Sequence, residues 1–212
     1  MKLPFPSGVY ALTPAEADTE KLLARVEGAL QGGIAALQYR DKSGDVALRH
    51  AQASELLLLC RRYGVPLIIN DDLRLADLAG ADGVHLGTED ASLKEARIIL
   101  GADKYVGVSC YQSLERAREA EAGGADYVAF GSFYPSPSKP QAPLAPLALL
   151  RAARAALRLP IVAIGGIGAH NLAVLLDNGA DAVAVISAVF DRPDPREAVR
   201  QLNSLFRCES EE

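Results

Sequence analysis

The sequence is poor in cysteine, and it has no excess of positive charge and no long hydrophobic run. Its three cysteines, Cys60, Cys110 and Cys208, are far apart and odd in number, so they form neither a metal-ligand spacing nor a disulfide framework. The formal net charge of −5 excludes a general electrostatic attraction to nucleic acid or to an anionic membrane. An anionic ligand would therefore have to be held by a local cluster of cations.

Other missing patterns narrow the class of protein further. No apolar run reaches the roughly 18 residues that a membrane-spanning helix needs. The N-terminal segment MKLPFPSGVY has no long apolar stretch and contains two prolines, which argues against a secretory leader. Neither GxGxxG nor GxxxxGK followed by Ser or Thr occurs. We therefore expect a cytoplasmic protein without nucleic-acid or membrane partners.

What the sequence does contain is a repeated unit, a short apolar run followed by a charged helical stretch. Strands are predicted at 8–12, 35–40, 66–70, 83–87, 104–109, 127–132, 161–166 and 181–187. Nearly continuous apolar runs are typical of strands buried on both faces, and strand–helix–strand connections are right-handed and make a sheet parallel. Eight units in 212 residues predict an α/β fold, a (β/α)8 barrel, with a doubly wound open sheet as the alternative.

The repeated units extend along the whole chain, so residues 1–212 are expected to form a single domain. Phrases such as GGIAA, AGADG, GGADY and GADAV recur between a helix and the next strand, and they are interpreted as turns of the repeated unit. The acidic segment CESEE is expected to be a disordered tail at about residues 208–212.

In such a barrel, functional residues gather after the carboxyl ends of the strands. The motif QYRDK ends the second predicted strand, and the period of two places Gln38, Arg40 and Lys42 on one face. The other strand ends carry mostly polar residues or glycines: Asn70, Asp71 and Asp72; Glu89 and Asp90; Ser109; Ser136, Ser138 and Lys139; Gly165 and Gly166; and Ser187, which follows the apolar Ile186. We expect these residues to surround one mouth of the barrel, meaning the opening at the carboxyl ends of the strands.

Carboxylates beside cations suggest a divalent metal ion that bridges to an anionic ligand. Mg²⁺ prefers one or two carboxylates together with substrate phosphates and water, and Asp71 and Asp90 could supply the carboxylates. Arg and Lys side chains suit the oxygens of a diphosphate. The segments IGGIGAHN and VISA end the seventh and eighth strands, where many barrels bind phosphate through backbone N–H groups. The mouth is therefore predicted to hold two phosphate sites of different construction.

Each of these residues also has a purely structural interpretation. Arg40 and Asp41 could form an ion pair on the rim, and Asp71 or its neighbour could cap a helix. His85 lies inside a predicted strand and is interpreted as a packed core histidine. Cys110 has no basic partner in the sequence that would activate a thiol. The gathering of many polar residues on one predicted face favours the functional interpretation.

Several motifs resemble those of the thiamine-phosphate synthase family. They are QYRDK, IINDD, GADGVHLGTED, VGVSC, GADYVAFGSFYPSPSKP, VAIGGI and GADAVAVISA, and their order makes the resemblance specific over about residues 8–206. The resemblance implies a (β/α)8 barrel and a transferase that joins a hydroxymethylpyrimidine diphosphate to a thiazole phosphate. The products would be thiamine phosphate and diphosphate, with CO₂ as well if the thiazole carries a carboxyl group.

The same resemblance implies roles for individual residues. Contacts to the pyrimidine diphosphate are implied for Gln38, Tyr39, Arg40, Asp41, Lys42, Asn70, Ser109 and Lys139. Catalytic roles are implied for Arg40, Lys42, Ser109 and Lys139. Contacts to the thiazole phosphate are implied for Ser136, Pro137, Ser138, Gly166, Ile186 and Ser187. Asp71 and Asp90 would bind one Mg²⁺ ion per active site.

The chain departs from the family pattern in two places. Residues 136–139 read Ser-Pro-Ser-Lys where the family often has Thr-x-Thr-Lys, and serine retains the hydroxyl group, so the contacts are expected to survive with less rigidity. Cys110 and Tyr111 follow Ser109 where many members have Ala-His, which weakens any role for a histidine there.

The expected chemistry is a dissociative substitution, in which the diphosphate leaves before the thiazole nitrogen attacks. Alternatives are a tautomerase-like barrel that isomerises thiazole phosphates with a histidine, a non-catalytic regulatory barrel that binds thiazole phosphate, and an epimerase-like phosphate-sugar enzyme. The partners expected are small-molecule substrates, with a homodimer as a candidate assembly.

Overall fold

The computed structural model describes residues 3–136, 141 and 143–206, and within them the strands form a closed parallel barrel. The strands are β1 (Gly8–Leu12), β2 (Ala36–Tyr39), β3 (Leu67–Asn70), β4 (Gly83–Leu86), β5 (Tyr105–Tyr111), β6 (Tyr127–Gly131), β7 (Ile161–Ile164) and β8 (Ala182–Val185). Closure is direct, since Gly8 to Ala11 of β1 pair with Ala182 to Val185 of β8. The predicted (β/α)8 barrel is therefore confirmed, and the open sheet is excluded.

Helices surround the barrel. They are α1 (Thr19–Gly32), α2 (Val46–Tyr63), α3 (Leu73–Ala79), α4 (Leu93–Leu100), α5 (Leu114–Ala122), α6 (Ala148–Ala156), α7 (Leu172–Leu176), α8 (Ser187–Phe190) and α9 (Pro195–Phe206). Of the helices that the structure describes, six begin after a side chain that accepts a backbone hydrogen bond from the first turn, namely Asp18, Asp45, Asp72, Ser92, Ser113 and Asp194. The sequence pattern does not predict α8, because a single turn that directly follows a strand has no helical period of its own.

The period of two in the strands separates the buried residues into two layers. Outward-facing residues such as Val9, Leu37 and Ile69 pack between the sheet and the helices. Inward-facing residues fill the barrel, and they include Tyr10, Leu12, Ala36, Ile68, Tyr127, Val162 and Ala184. The mouth therefore lies above a packed floor and does not open into a channel.

The recurring AD phrase has a structural role at the opposite end of the barrel. Asp82, Asp126 and Asp181 each precede a strand, and each carboxylate accepts a backbone hydrogen bond of 2.7–2.9 Å from the start of the preceding strand. Asp181, for example, accepts from the N–H of Ile161 at 2.7 Å and from the Arg154 guanidinium at 2.8 Å. These polar residues join neighbouring strands at the end away from the mouth.

Among the residues described, no helix is long and apolar enough to cross a lipid bilayer. The predicted acidic tail at 208–212 lies outside the described residues, as do Pro137, Ser138 and Lys139.

Candidate active site

A cavity of about 550 Å³ opens at the carboxyl ends of the strands, within the size range of small-molecule sites. Its wall includes most of the described residues that the sequence proposes for the site: Gln38, Arg40, Lys42, Asn70, Asp71, Asp90, Ser109, Ser136, Gly166, Ile186 and Ser187. Cations and carboxylates occupy one side of the mouth, and glycine and serine loops occupy the other. The structure thus brings these residues together, while their individual roles remain predictions.

The cationic side begins at the end of β2. The strand ends at Tyr39, yet Arg40 and Lys42 both line the cavity together with Gln38. Thr13 keeps the chain extended at this point, because its hydroxyl accepts from the Arg40 N–H at 2.9 Å and lies 3.3 Å from the Arg40 carbonyl oxygen. The alternation of the strand therefore continues beyond its last residue.

Two of the proposed diphosphate contacts, Tyr39 and Asp41, have side chains that do not line this cavity. Tyr39 is buried outside the barrel, where its hydroxyl donates to Gln52 of α2 at 2.9 Å. In the described part of the chain, Asp41 pairs with Ser43, whose N–H donates to it at 2.9 Å, and not with Arg40. Side chains alternate along an extended chain with a period of two. Because Gln38, Arg40 and Lys42 face the cavity, Tyr39 and Asp41 face the opposite side.

Asp71 and Asp90 form a carboxylate pair on the same side of the mouth. Asp71 directly follows β3 with a φ of +64°, and Asp90 accepts from the Gly87 N–H at 2.6 Å. Burial raises the pKa of Asp71, and the charge of Asp90 and a hydrogen bond between the two carboxyl groups raise it further, against the opposing effects of Lys42 and Asn70. Two carboxyl groups held this closely require either a shared proton or a cation.

The neighbouring Asp72 has a different role, which resolves the capping alternative. Its carboxylate accepts from the Leu75 N–H at 2.8 Å at the start of α3, and it pairs with Arg49 at 2.8 Å. The helix-capping interpretation therefore applies to Asp72, and Asp71 is left to face the cavity.

The carboxylate pair contains oxygen ligands of the kind that Mg²⁺ prefers. No group of three or more His, Cys, Asp or Glu side chains within the described ranges is arranged to hold a metal ion. A metal ion bound by Asp71 and Asp90 would therefore complete its shell with water and with oxygens of a bound ligand.

The opposite side of the mouth is formed by the loops after β6 and β7. Gly166 has a φ of +60°, and a Cβ atom there would lie 2.3 Å from the Pro135 carbonyl oxygen, so a side chain would separate the two loops. Asn171 fixes the second loop, since it donates to the Gly166 carbonyl at 3.0 Å and accepts from the Gly168 N–H at 2.9 Å. Ser187, the first residue of α8, completes this wall.

Sequence reasoning missed the position of His85 in the site. The side chain is buried, as predicted, but it lies in the cavity floor and not in the outer core. Its Nε2 atom is 2.8 Å from the Ser109 hydroxyl, and its Nδ1 atom is 3.0 Å from the Tyr127 hydroxyl. The period of two was the available signal, because the apolar neighbours Val84 and Leu86 face the outer core and His85 therefore faces the inside of the barrel.

Arg116 of α5 is a second residue that the sequence patterns did not single out. It donates to the backbone carbonyl of Ser109 at 2.8 Å and to that of Gly87 at 3.0 Å. It therefore links the end of β5 to the loop that carries Asp90.

Comparison with known proteins agrees with this geometry. The chain matches the family described as thiamine monophosphate synthase over residues 9–189. The chain belongs to the thiamine monophosphate synthase family. The resemblance seen in the motifs is confirmed, and with it the assignment of the protein as a transferase.

Individual members of the family are similar to this chain along almost its whole length. A thiamine-phosphate synthase of Thiobacillus denitrificans is 69% identical over 208 residues, which cover 98% of this chain and 99% of that protein. One of Thioalkalivibrio sulfidiphilus is 51% identical and covers 94% of this chain and 95% of its own length. The solved structure of a thiamine phosphate pyrophosphorylase from Pyrococcus furiosus has a TM-score of 0.84 at 35% identity, covering 93% of this chain and 94% of that one.

Proposed function

We propose that the mouth of the barrel joins a hydroxymethylpyrimidine diphosphate to a thiazole phosphate, with thiamine phosphate and diphosphate as products. The observation that carries this proposal is the two-sided cavity. Arg40 and Lys42 stand beside a carboxylate pair on one side, and Gly166 and Ser187 lie on the other. Two phosphorylated substrates can bind there with their organic rings between the two sides.

We propose Asp71 and Asp90 as the residues that would hold Mg²⁺. The support is that both side chains line the cavity and that burial and the charge of Asp90 raise the pKa of Asp71, which a bound cation would reverse. When bound, the ion would supply positive charge against the oxygens of the diphosphate.

Arg40 and Lys42 would stabilise negative charge in the step in which the diphosphate leaves. As the bond between the exocyclic methylene carbon and the diphosphate oxygen breaks, its electron pair passes to the diphosphate. Arg40 and Lys42 face the cavity where that negative charge would grow, so they would stabilise the transition state more than the ground state. Lys139 is assigned the same role by the resemblance, and it lies outside the described residues.

The side of the mouth that carries Gly166 and Ser187 would orient the thiazole phosphate. Gly166, Ser136 and Ser187 would hold the phosphate of the thiazole, so that its ring nitrogen faces the methylene carbon. The lone pair of that nitrogen then forms the new carbon–nitrogen bond. The nitrogen has no proton to lose, so this step needs no general base.

The test is a coupling assay with purified protein, both substrates and Mg²⁺. We expect thiamine phosphate and diphosphate in equal amounts, and we expect the reaction to stop with EDTA and to resume with excess Mg²⁺. Binding of the thiazole phosphate without any product would contradict the proposal and favour a regulatory barrel. Isomerisation of the thiazole phosphate alone would instead favour a tautomerase, for which His85 is the histidine present in the cavity.

The cytoplasmic location and the homodimer stay proposals. The location rests on the cysteine pattern and the small-molecule substrates, and light scattering of the purified protein tests the assembly.

A further inference from the structure

A continuous chain of hydrogen bonds crosses the floor of the cavity from Gln38 to Ser109. The Gln38 amide donates to the Tyr10 hydroxyl at 2.7 Å, and that hydroxyl is 2.8 Å from the hydroxyl of Tyr127. Tyr127 is in turn 3.0 Å from Nδ1 of His85, and Nε2 of His85 is 2.8 Å from the Ser109 hydroxyl. Both ends of the chain line the cavity, and both were assigned to the pyrimidine substrate by the sequence motifs.

The links of this chain share one direction. A hydroxyl group has one proton to donate, and a neutral imidazole has one N–H and one acceptor nitrogen. Tyr10 and Tyr127 are buried, so each phenol proton needs an acceptor. With Gln38 donating to Tyr10, every proton of these links has an acceptor when Tyr10 donates to Tyr127 and Tyr127 donates to Nδ1 of His85. His85 then donates from Nε2 to Ser109, so the Ser109 proton is left for the cavity. Rotating the Gln38 amide would reverse every link together.

The middle of the hydrogen-bond chain is shielded from water, and this shielding keeps the donor-to-acceptor direction of its links fixed. Tyr10 and Tyr127 are 1% and 0% exposed, and burial raises the pKa of both phenols, so both stay protonated. The Tyr127 ring stacks on Phe5 with centroids 3.9 Å apart. Gly107 makes room for the ring, because a Cβ atom there would lie 2.0 Å from it. A hydrogen bond is stronger and more costly to lose in such surroundings.

We propose that these five side chains act as one directional relay, in which His85 is a positioning residue that makes Ser109 a donor and Gln38 an acceptor toward the aminopyrimidine ring. This inference rests on the proposed function, since it names how that substrate is recognised. An aminopyrimidine offers an N–H donor on its amino group and acceptor nitrogens in its ring. The relay presents an acceptor, Oε1 of Gln38, and a donor, the hydroxyl proton of Ser109, because its direction uses neither of them within the hydrogen-bond chain. The second N–H of the Gln38 amide is a further donor.

The relay predicts a specific discrimination between substrates. A pyrimidine diphosphate with an oxo group in place of the amino group offers the reverse pattern, a carbonyl acceptor beside a ring N–H donor. A site with fixed polar groups rejects such a substrate strongly, since buried groups are left without partners. We therefore expect the wild-type protein to prefer the amino substrate over the oxo analogue in kcat/KM by about three orders of magnitude or more.

Tyr127→Phe tests the relay because it removes the central hydroxyl and keeps the ring on Phe5. We expect about a tenfold loss of kcat/KM for the amino substrate, little change in KM for the thiazole phosphate, and at least a tenfold smaller preference over the oxo analogue. The matched control is Tyr105→Phe, which removes a phenol hydroxyl from the same aromatic cluster, where it donates to the Leu3 carbonyl at 3.1 Å. The control should retain the wild-type preference, and thermal unfolding of each variant reports its folding.

A double-mutant cycle tests whether Tyr127 acts through Ser109. In a Ser109→Ala background, Tyr127→Phe should cause a clearly smaller loss of kcat/KM than in the wild type, because one of the two groups that the relay positions is already absent. Losses that simply multiply would overturn the relay.

Nitrogen-15 NMR of the imidazole groups tests the relay without any need for activity. The protein has three histidines, and the signals that disappear in the His85→Gln variant are those of His85. We expect the proton of the neutral His85 imidazole on Nε2, and Nδ1 unprotonated as the acceptor of the Tyr127 hydrogen bond. A proton on Nδ1 would overturn the stated direction even in an active enzyme. A proton on Nε2 in a protein that makes no thiamine phosphate would support the relay geometry and contradict the proposed function alone.

Discussion

Arg40 lies one residue beyond the end of β2, yet it keeps the alternation of the strand because Thr13 holds its backbone. The sequence predicts this placement correctly, since QYRDK alternates on the same period as the strand before it. The motif resemblance adds Tyr39 and Asp41, whose side chains lie elsewhere, because a family motif does not separate side-chain contacts from backbone contacts.

We expect Arg40→Ala to lower kcat by about two orders of magnitude, the usual effect of removing a group that stabilises charge in the transition state. Steady-state assays with both substrates saturating measure the change. Arg74→Ala is the control, because Arg74 is exposed on α3 away from the cavity wall, and its kcat should match that of the wild type. Near-normal turnover in Arg40→Ala would contradict its assignment to the leaving diphosphate.

The thiol of Cys110 should be inert although it is adjacent to Ser109. Burial raises the pKa of Cys110 to about 12, and it raises that of Cys60 to about 12 as well, so both thiols stay protonated at neutral pH. In a Cys208→Ser background, we expect a thiol reagent at pH 8 to label the native protein at least a hundredfold more slowly than the denatured protein. Rapid labelling of native Cys110 would contradict this placement.

Hydrogen-bond partners that are distant in the chain cannot be read from local patterns. Tyr10 and Tyr127 are separated by 117 residues, and only closure of the barrel brings their hydroxyls together. For this reason His85 could be predicted as buried, but its contact with Ser109 could not be predicted.

Strands and helices were easier to predict than their connections. Each β-strand is an apolar run between polar or glycine-containing turns, so its approximate place follows from the local sequence pattern, although its ends do not: the predicted strand 181–187 ends at Val185, before α8 begins. The Asp residues before β4, β6 and β8 are visible as a repeated phrase, but their hydrogen bonds to the preceding strands depend on the sheet order.

Asp181→Ala should destabilise the fold without affecting catalysis. It leaves the Ile161 N–H and the Arg154 guanidinium without their carboxylate partner, which we expect to cost about 1–3 kcal/mol of unfolding free energy. Urea unfolding measures the loss. The control Asp103→Ala changes an exposed carboxylate in a helix-to-strand turn and should stay within about 0.5 kcal/mol of the wild type. A loss of kcat in Asp181→Ala well below its unfolding temperature would contradict a purely structural role.

The capping box of α4 should give a pH-dependent contribution to stability. Hydrogen bonds from the side chain and backbone of Ser92 lower the pKa of Glu95. A carboxylate whose pKa is lowered by folding stabilises the protein at pH values above its unfolded pKa of about 4.3. That stability is lost as the pH falls through the folded pKa. The unfolding midpoints of wild type and Glu95→Gln should therefore differ above about pH 5 and converge in stronger acid, and a difference that is independent of pH would contradict the assignment.

The closed barrel determines where charge can act in this acidic protein. The chain has a net charge of −5, yet Arg40 and Lys42 lie together in the cavity wall, so attraction for a diphosphate arises from their placement and not from the overall field. Parallel strands bring all eight carboxyl ends to one opening. For this reason, residues as far apart in the sequence as Gln38 and Ser187 line the same cavity.

A crystal structure of the protein with thiamine phosphate, diphosphate and Mg²⁺ would show whether this cavity is where the two substrates meet. We expect the diphosphate against Arg40 and Lys42, the metal ion between it and the pair Asp71 and Asp90, and the thiamine phosphate group against Gly166 and Ser187. Diphosphate bound away from Arg40, or a metal ion bound away from both aspartates, would contradict the proposed reaction at this mouth.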